Sequence, residues 1–187
     1  MAMTHDLLAK SYRLFLFDEL EDYKLAIKML TAYLKTDPRN GVAYNNRGLA
    51  YSEIGQGDNA LLDFASAMEC SPTDPIPYIN RGDLYLRAKP APRLQEAIAD
   101  FTQAIAINGS DATFHRCRAS ACQKANRLQE AIESFSAAIQ LEPDFRQTYI
   151  DRGEIYQQTG EDKKAKQDFD MAAKLPPYSR HRTVSKT

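Results

Sequence analysis

The sequence predicts an all-α fold of about ten antiparallel helices, and two observations lead to this prediction. The first is an internal repeat, because Pro38 and Pro72 are 34 residues apart, as are Pro143 and Pro177. The second is the spacing of apolar residues between these prolines, which follows the helical period on two successive segments. Each repeat is therefore expected to form a pair of helices that covers its apolar face with neighbouring repeats.

Five such repeats account for nearly the whole chain of 187 residues. The 71 residues from Pro72 to Pro143 equal one repeat of 34 residues and one of 37, so the third repeat carries three extra residues. The predicted repeats 1 to 5 run over residues 7–40, 41–74, 75–111, 112–145 and 146–179. Residues 1–6 form a lead, and residues 180–187 form a basic tail that we expect to be flexible.

The first helix of each repeat is marked by an aromatic residue, a glycine and a tyrosine at helical spacing. In repeat 2 these are Tyr44, Gly48 and Tyr51, and repeats 3 and 5 have the same residue types. Two repeats depart from this pattern: repeat 1 has Lys10, Leu14 and Phe17, and repeat 4 has His115, Ala119 and Cys122. We therefore predict that repeat 1 is degenerate.

The second helix of each repeat has an alanine followed four residues later by a large apolar residue. These pairs are Ala26 and Leu30, Ala60 and Phe64, Ala97 and Phe101, Ala131 and Phe135, and Ala165 and Phe169. Turn-forming residues separate the two helices of a repeat, and the three extra residues of repeat 3 are expected between Lys89 and Pro92. The proline near the end of a repeat stops the second helix because it has no N–H to donate.

An arginine in the first helix is predicted to contact an aspartate in the second helix of the same repeat. Arginine occupies one position in all five repeats, and the partner position holds Asp63, Asp100 and Asp168 in repeats 2, 3 and 5. Repeats 1 and 4 have Met29 and Ser134 there. A guanidinium and a carboxylate can form two parallel hydrogen bonds. The alternative is that both side chains are solvated and simply recur with the repeat.

The pattern resembles the tetratricopeptide repeat (TPR), whose 34-residue unit has an aromatic residue, Leu-Gly, Tyr, Ala, Phe, Ala and Pro at set positions. The resemblance covers residues 7 to about 179, with tyrosine in place of the family's tryptophan. It implies a right-handed α/α superhelix, a TPR solenoid, in which the first helices line a concave groove. It also implies a role in protein–protein interaction without a cofactor.

The resemblance identifies the residues of this groove, which would bind a peptide or helical segment of a partner. The asparagines among them carry both hydrogen-bond donors and acceptors for a peptide backbone. The predicted groove residues are Asn45, Asn46, Leu49, Ile79, Asn80, Asp83, Arg87, Arg116, Ser120, Lys124, Ile150 and Glu154. The family's clamp for the C-terminal carboxylate of heat-shock chaperones is not implied, because Thr113 and Cys117 stand where its basic residues are required.

Composition and charge argue against other classes of partner. The chain has 24 Lys plus Arg against 25 Asp plus Glu, so it lacks the basic excess that binds nucleic-acid phosphates. Its longest apolar run, Leu14 to Phe17, is far shorter than the ~20 residues that span a bilayer. The first ten residues do not resemble a secretion signal. We therefore expect a cytoplasmic protein that binds neither nucleic acid nor membranes.

The candidate catalytic and metal-binding residues are few. Cys70, Cys117 and Cys122 form no C-x-x-C pair, so neither a disulfide framework nor a zinc site is indicated. His115 and Cys122 share a helical face, but they occupy the two tyrosine positions of repeat 4, which favours packing over catalysis. We predict no enzyme activity, no metal and no cofactor, and catalysis by these residues is the least favoured hypothesis.

The leading hypothesis is a non-enzymatic adaptor or scaffold that binds a partner protein in the concave groove. The alternative is a structural module that assembles with itself through its terminal helices, using the apolar residues Leu7, Leu8, Phe15 and Leu16. We expect a monomer or a weak homodimer.

Overall fold

Nine helices and no strand make up residues 20–177, which are the residues that the computed structural model describes. The helices are α1 (Leu20–Leu34), α2 (Gly41–Glu53), α3 (Gly57–Cys70), α4 (Ile76–Leu86), α5 (Leu94–Ile107), α6 (Ala112–Lys124), α7 (Leu128–Leu141), α8 (Arg146–Gln158) and α9 (Asp162–Lys174). The predicted all-α class is confirmed. The lead, the first helix of repeat 1 with Leu7, Leu8, Phe15 and Leu16, and the basic tail lie outside the described residues.

The helices divide between Asn108 and Gly109 into two compact units. The N-terminal unit contains α1 to α5, and the C-terminal unit contains α6 to α9. Within each unit, helices that are consecutive in the chain pack against each other. In the part of the chain that the structure describes, no helix is both long and apolar enough to cross a bilayer.

The turn between the two helices of a repeat requires a left-handed backbone conformation. Gly55, Asn126 and Gly160 occupy the same position in repeats 2, 4 and 5, and their φ angles are 77°, 58° and 78°. Glycine and asparagine adopt this conformation more readily than other residues. Repeat 3 has Lys89 at this position, and there the longer loop replaces the tight turn.

In repeats 2, 3 and 5, a ring from the second helix packs on a glycine of the first helix. Phe64 and Phe101 are almost completely buried. A Cβ atom on Gly82 would lie 2.6 Å from Cε1 of Phe101, and one on Gly48 would lie 2.8 Å from Cε1 of Phe64. Glycine therefore allows the two helices of a repeat to approach until the ring contacts the backbone of the first helix.

The predicted contact between arginine and aspartate is confirmed in the three repeats that have both residues. In repeat 3, Nε and Nη2 of Arg81 donate to the two carboxylate oxygens of Asp100, at 2.8 and 2.7 Å. Repeats 2 and 5 form the same paired bonds, between Arg47 and Asp63 and between Arg152 and Asp168. The bonds to Asp100 raise the pKa of Arg81 above its usual value. The pairs thus join the first and second helix of a repeat.

Two of these arginines also contact the preceding repeat, which the sequence analysis did not anticipate. Nη1 of Arg47 donates to Oγ1 of Thr31 at 3.1 Å, and Nη1 of Arg152 donates to Oγ of Ser136 at 2.8 Å. Thr31 and Ser136 occupy the same position in the second helices of repeats 1 and 4. Each guanidinium therefore connects three helices, two of its own repeat and one of the repeat before it.

Repeat 4 lacks the aspartate, and its arginine is incompletely paired. Nη1 of Arg118 donates to Oγ of Ser134 at 3.1 Å, and Nη2 lies 3.5 Å from a carboxylate oxygen of Glu130. The Nε atom of Arg118 is buried and has no acceptor among residues 20–177. A buried donor without a partner costs about 1–3 kcal/mol.

We expect the substitution Ser134→Asp to raise the free energy of unfolding by about 1.5–3 kcal/mol, because hydrogen bonds to charged groups contribute this much. The carboxylate would accept from Nε and Nη2 of Arg118, as the aspartates of the other repeats do. Urea unfolding checks the prediction, with Ser134→Asn as the uncharged control that should gain less. A Ser134→Asp protein less stable than both the parent and the control would contradict it.

Candidate functional site

The predicted groove residues lie on the first helices of the repeats, in two separate sets. The α2/α4 surface belongs to the N-terminal unit and contains Asn45, Asn46, Leu49, Ile79, Asn80, Asp83 and Arg87. The α6/α8 surface belongs to the C-terminal unit and contains Arg116, Ser120, Lys124, Ile150 and Glu154. The structure brings α2 and α4 into direct contact.

The three asparagines of the α2/α4 surface form a chain of hydrogen bonds. Nδ2 of Asn80 donates to Oδ1 of Asn45 at 2.8 Å, and Nδ2 of Asn45 donates to Oδ1 of Asn46 at 3.4 Å. Asn45 and Asn46 are buried, whereas Asn80 is half-buried. The bond from Asn80 to Asn45 therefore joins α4 to α2, and Asn80 is the asparagine with most surface left for a ligand.

Apolar side chains on the same surface are more exposed near the start of α2 and α4. Leu49 and Ile79 are half-buried, and Leu49 packs against the cluster that contains Phe64. Val42 and Ile76, which occupy the same position in consecutive repeats, are 41% and 43% exposed. The α2/α4 surface thus presents an apolar area beside the amide of Asn80.

Charged residues pair with each other at the other end of the α2/α4 surface. Nη2 of Arg87 lies 2.8 Å from Oδ2 of Asp83, and Nη1 lies 3.3 Å from Oε1 of Glu53. All three side chains are exposed. Exposed ion pairs contribute only about 0–1 kcal/mol each, so a ligand with suitable charges can replace them.

On the α6/α8 surface, Arg116 is occupied by contacts within the protein. Its Nη1 donates to Oε2 of Glu142 at 2.7 Å, and its Nη2 donates to Oγ1 of Thr113 at 3.0 Å. The guanidinium carbon lies 4.2 Å from the centre of the Phe145 ring. The positive charge of Arg116 is therefore largely neutralised, and Lys124, which is exposed, is the accessible cation of this surface.

The remaining residues of the α6/α8 surface leave it acidic on α8. Ser120 and Ile150 are half-buried, and Glu154 is exposed. Asp151 is also half-buried and accepts a hydrogen bond of 2.7 Å from Nε2 of Gln147. Burial raises the pKa of Asp151 above its usual value, and the bond from Gln147 opposes this only in part.

The raised pKa of Asp151 predicts that Asp151→Asn stabilises the protein at pH 7 but not at pH 3. Because the pKa is higher in the folded state, the contribution of Asp151 to stability is present below the unfolded value of about 3.9 and is lost as the pH rises through the folded value. The gain at pH 7 should stay below about 1 kcal/mol, since the side chain is partly solvated. Urea unfolding at both pH values tests this, and an equal effect at both would contradict it.

The candidate catalytic residues of repeat 4 are held in structural contacts. Nε2 of His115 lies 3.0 Å from the carbonyl oxygen of Gly109. Cys122 is buried, and this burial raises the pKa of its thiol, which disfavours the reactive thiolate. Within residues 20–177, no group of three or more His, Cys, Asp or Glu side chains is arranged to hold a metal ion.

Comparison with known proteins places this arrangement in a family. Models of the tetratricopeptide repeat match residues 16–75, 112–145 and 147–178, together more than half of the chain. The chain belongs to the tetratricopeptide repeat family. The family resemblance seen in the sequence is thereby confirmed. TPR domains serve protein–protein interaction, so the protein belongs to the general class of interaction scaffolds, whose folds are generally non-enzymatic.

Two curated relatives match only part of the chain. Over 94 residues, 50% of the chain, it is 33% identical to the small glutamine-rich tetratricopeptide repeat-containing protein 2 of Saccharomyces cerevisiae, and the match covers 26% of that protein. Over 61 residues, 33% of the chain, it is 38% identical to the human tetratricopeptide repeat protein 28, and the match covers 2% of that protein. The matched region thus spans about a quarter or less of each relative's length.

Solved structures of MamA resemble nearly the whole chain. One MamA structure has a TM-score of 0.78 at 21% identity and covers 94% of this chain and 98% of its own. A second has a TM-score of 0.74 at 24% identity, covering 82% and 88%. MamA from Desulfovibrio magneticus RS-1 has a TM-score of 0.78 at 17% identity, covering 92% and 94%. These similarities confirm the predicted TPR fold.

Proposed function

We propose that this TPR protein is a non-enzymatic adaptor that binds a peptide or helical segment of a partner protein along the first helices of its repeats. The observation that supports the proposal best is the exposure of Val42 and Ile76 on the α2/α4 surface. Single exposed apolar residues are common on protein surfaces. These two occupy equivalent positions in consecutive repeats, and helical spacing puts Leu49 on the same face as Val42 and Ile79 on the same face as Ile76, which together define the apolar strip.

The polar residues of the α2/α4 surface would set the register of the bound segment. Asn80 is the accessible end of the amide chain and can bond to a peptide backbone. Arg87 and Asp83 carry opposite charges in an exposed pair that a charged partner residue can open. The apolar strip would supply most of the affinity, because buried apolar anchors dominate binding energy.

On the α6/α8 surface, we propose that Ile150 is the apolar anchor and that Ser120, Lys124 and Glu154 form the polar rim. Arg116 is proposed to form few hydrogen bonds with the ligand, because its bonds to Glu142 and Thr113 occupy most of its donors. A partner segment that crosses this surface would therefore meet Lys124 and Glu154 as its main charges.

Affinity capture with a matched set of variants tests the adaptor function. The double variant Val42→Asp/Ile76→Asp introduces charge into the apolar strip without removing a buried side chain. Leu62→Asp is the control, because Leu62 is 68% exposed on α3, a second helix. A partner retained by the parent and by the control but lost by the double variant supports the proposal. A partner retained equally by all three proteins would show that the α2/α4 surface is not the binding site.

A further inference from the structure

A cavity of about 560 Å³ opens in the N-terminal unit where the α2–α3 turn lies beside the α4–α5 loop. Its volume lies within the range of about 300–1,000 Å³ that is typical of ligand pockets. It is formed by the ends of the helices and by the loops, whereas the proposed partner site follows the exposed strip of Val42 and Ile76 near the start of α2 and α4.

Lys89 and Arg93, which flank the three-residue insertion of repeat 3, line one part of this cavity. The backbone N–H of Arg93 donates to the carbonyl oxygen of Tyr85 at 2.9 Å and closes the longer loop. The guanidinium carbon of Arg93 lies 4.4 Å from the centre of the Tyr85 ring. On the opposite wall, a Cβ on Gly57 would come no closer than 4.0 Å to Leu84, so glycine leaves this side open.

The side chains around the cavity are mainly cationic. Arg87, Lys89 and Arg93 line it, against the single carboxylate of Asp58. Nε of Arg93 donates to Oε1 of Glu96 at 2.9 Å. The two terminal nitrogens of Arg93 form no hydrogen bond within residues 20–177. Lys89 forms no ion pair with any residue in the same part of the chain. These terminal nitrogens and the ammonium group can therefore bind a carboxylate.

The floor of the cavity is apolar. Leu61 of α3 and Leu84 of α4 line it together with the ring of Tyr85, and all three side chains are half-buried. A site of this kind selects a ligand that combines negative charge with an adjacent apolar group, because either group alone leaves part of the lining uncompensated.

We propose that this cavity is a second docking site, which binds an acidic segment of a partner protein. A glutamate or aspartate side chain of the segment pairs with Arg93 and Lys89, and a neighbouring apolar side chain packs on Leu61 and Leu84. The cavity shares Arg87 with the α2/α4 surface but is lined by neither Val42 nor Ile76 of the apolar strip, so one partner can engage both sites.

A hexapeptide of alternating glutamate and leucine, with acetylated and amidated ends, is a suitable probe. We expect its titration into isotopically labelled protein to shift the backbone amide signals of residues 84–93 and to weaken as salt is added. The charge-reversal variant Lys89→Glu/Arg93→Glu should bind it at least about tenfold more weakly, a loss of about 1.4 kcal/mol. The matched variant Lys28→Glu/Lys35→Glu changes the net charge equally at exposed positions elsewhere and should bind it like the parent.

Three results would overturn the proposal. The first is the absence of binding, and the second is equal weakening by both charge-reversal variants. The third is equal affinity for a control peptide with lysine in place of glutamate. The variant Val42→Asp/Ile76→Asp separates this site from the adaptor surface: it should bind the acidic peptide like the parent, and loss of binding would assign the peptide to the α2/α4 surface instead.

Discussion

Replacing Phe101 by alanine is expected to lower the free energy of unfolding by about 3–5 kcal/mol. The ring is 1% exposed and fills the space above Gly82, where the two helices of repeat 3 approach most closely. Removing it leaves a cavity, because the bonds between Arg81 and Asp100 hold α4 and α5 at their present distance. The substitution thus loses both the burial of the ring and the contacts around it.

Urea unfolding measures the effect of Phe101→Ala, and Leu62→Ala is the control. Leu62 is an apolar residue on α3 with 68% exposure, so its truncation should change the free energy of unfolding by less than about 0.5 kcal/mol. A loss below about 1 kcal/mol for Phe101→Ala would contradict the packing described for repeat 3.

Hydrogen exchange should show where the stability lost in Phe101→Ala is located. In repeat proteins each repeat contacts only its neighbours, so stability is close to a sum of local terms. We expect amide protection to fall most in α4 and α5 and least in α8 and α9. A uniform loss of protection over all described helices would mean that the repeats unfold as one cooperative block.

The features of the fold that recur in several repeats are the ones that the sequence predicts well. Gly82 and Phe101 occupy repeated positions, and so do Arg81 and Asp100, so several independent copies of the same contact support each prediction. Repeat 4 departs from the repeated sequence, and it also lacks the corresponding contact. There Ser134 replaces the aspartate, and Arg118 retains a buried donor without an acceptor in the described part of the chain.

Contacts that occur only once could not be predicted from the pattern. Arg116 pairs with Glu142 and Phe145, which lie more than twenty residues away, and repeats 2, 3 and 5 have Asn45, Ile79 and Ile150 in place of this arginine. The mutual burial of Asn45 and Asn46 has the same origin, because it depends on how closely α2 approaches α4. Sequence position therefore identified which helices carry the candidate groove, but not which of its polar side chains remain free.

The repeat pattern also could not predict the cavity beside Lys89, although the insertion in the adjacent loop is visible in the sequence. The three extra residues of repeat 3 were predicted to lengthen a loop, and they do so between α4 and α5. Whether a longer loop closes over the neighbouring turn or leaves space depends on side-chain packing. The guanidinium carbon of Arg93 lies 4.4 Å from the centre of the Tyr85 ring, and Lys89, Arg93 and Gly57 all line the cavity.

A double-mutant cycle on Arg81 and Asp100 is expected to give a coupling energy of about 2–3 kcal/mol. The value follows from two charge-assisted hydrogen bonds, at 2.8 and 2.7 Å, to a carboxylate that is largely buried. Asp100→Ala alone should be more harmful than this coupling, because it leaves the guanidinium of Arg81 partly buried without its acceptor. The four proteins are compared by urea unfolding.

The exposed pair of Arg87 and Asp83 provides the control for this cycle. Its N–O distance of 2.8 Å is similar, but both side chains are about half exposed, so solvent screens the interaction. Its coupling energy should be no more than about 0.5 kcal/mol. The buried pair also has a second hydrogen bond that the exposed pair lacks, so a larger coupling energy for Arg81 and Asp100 reflects both the burial and the paired geometry. Equal and small coupling in both would mean that Arg81 and Asp100 recur without joining the helices, and that the rings and small residues alone hold each repeat together.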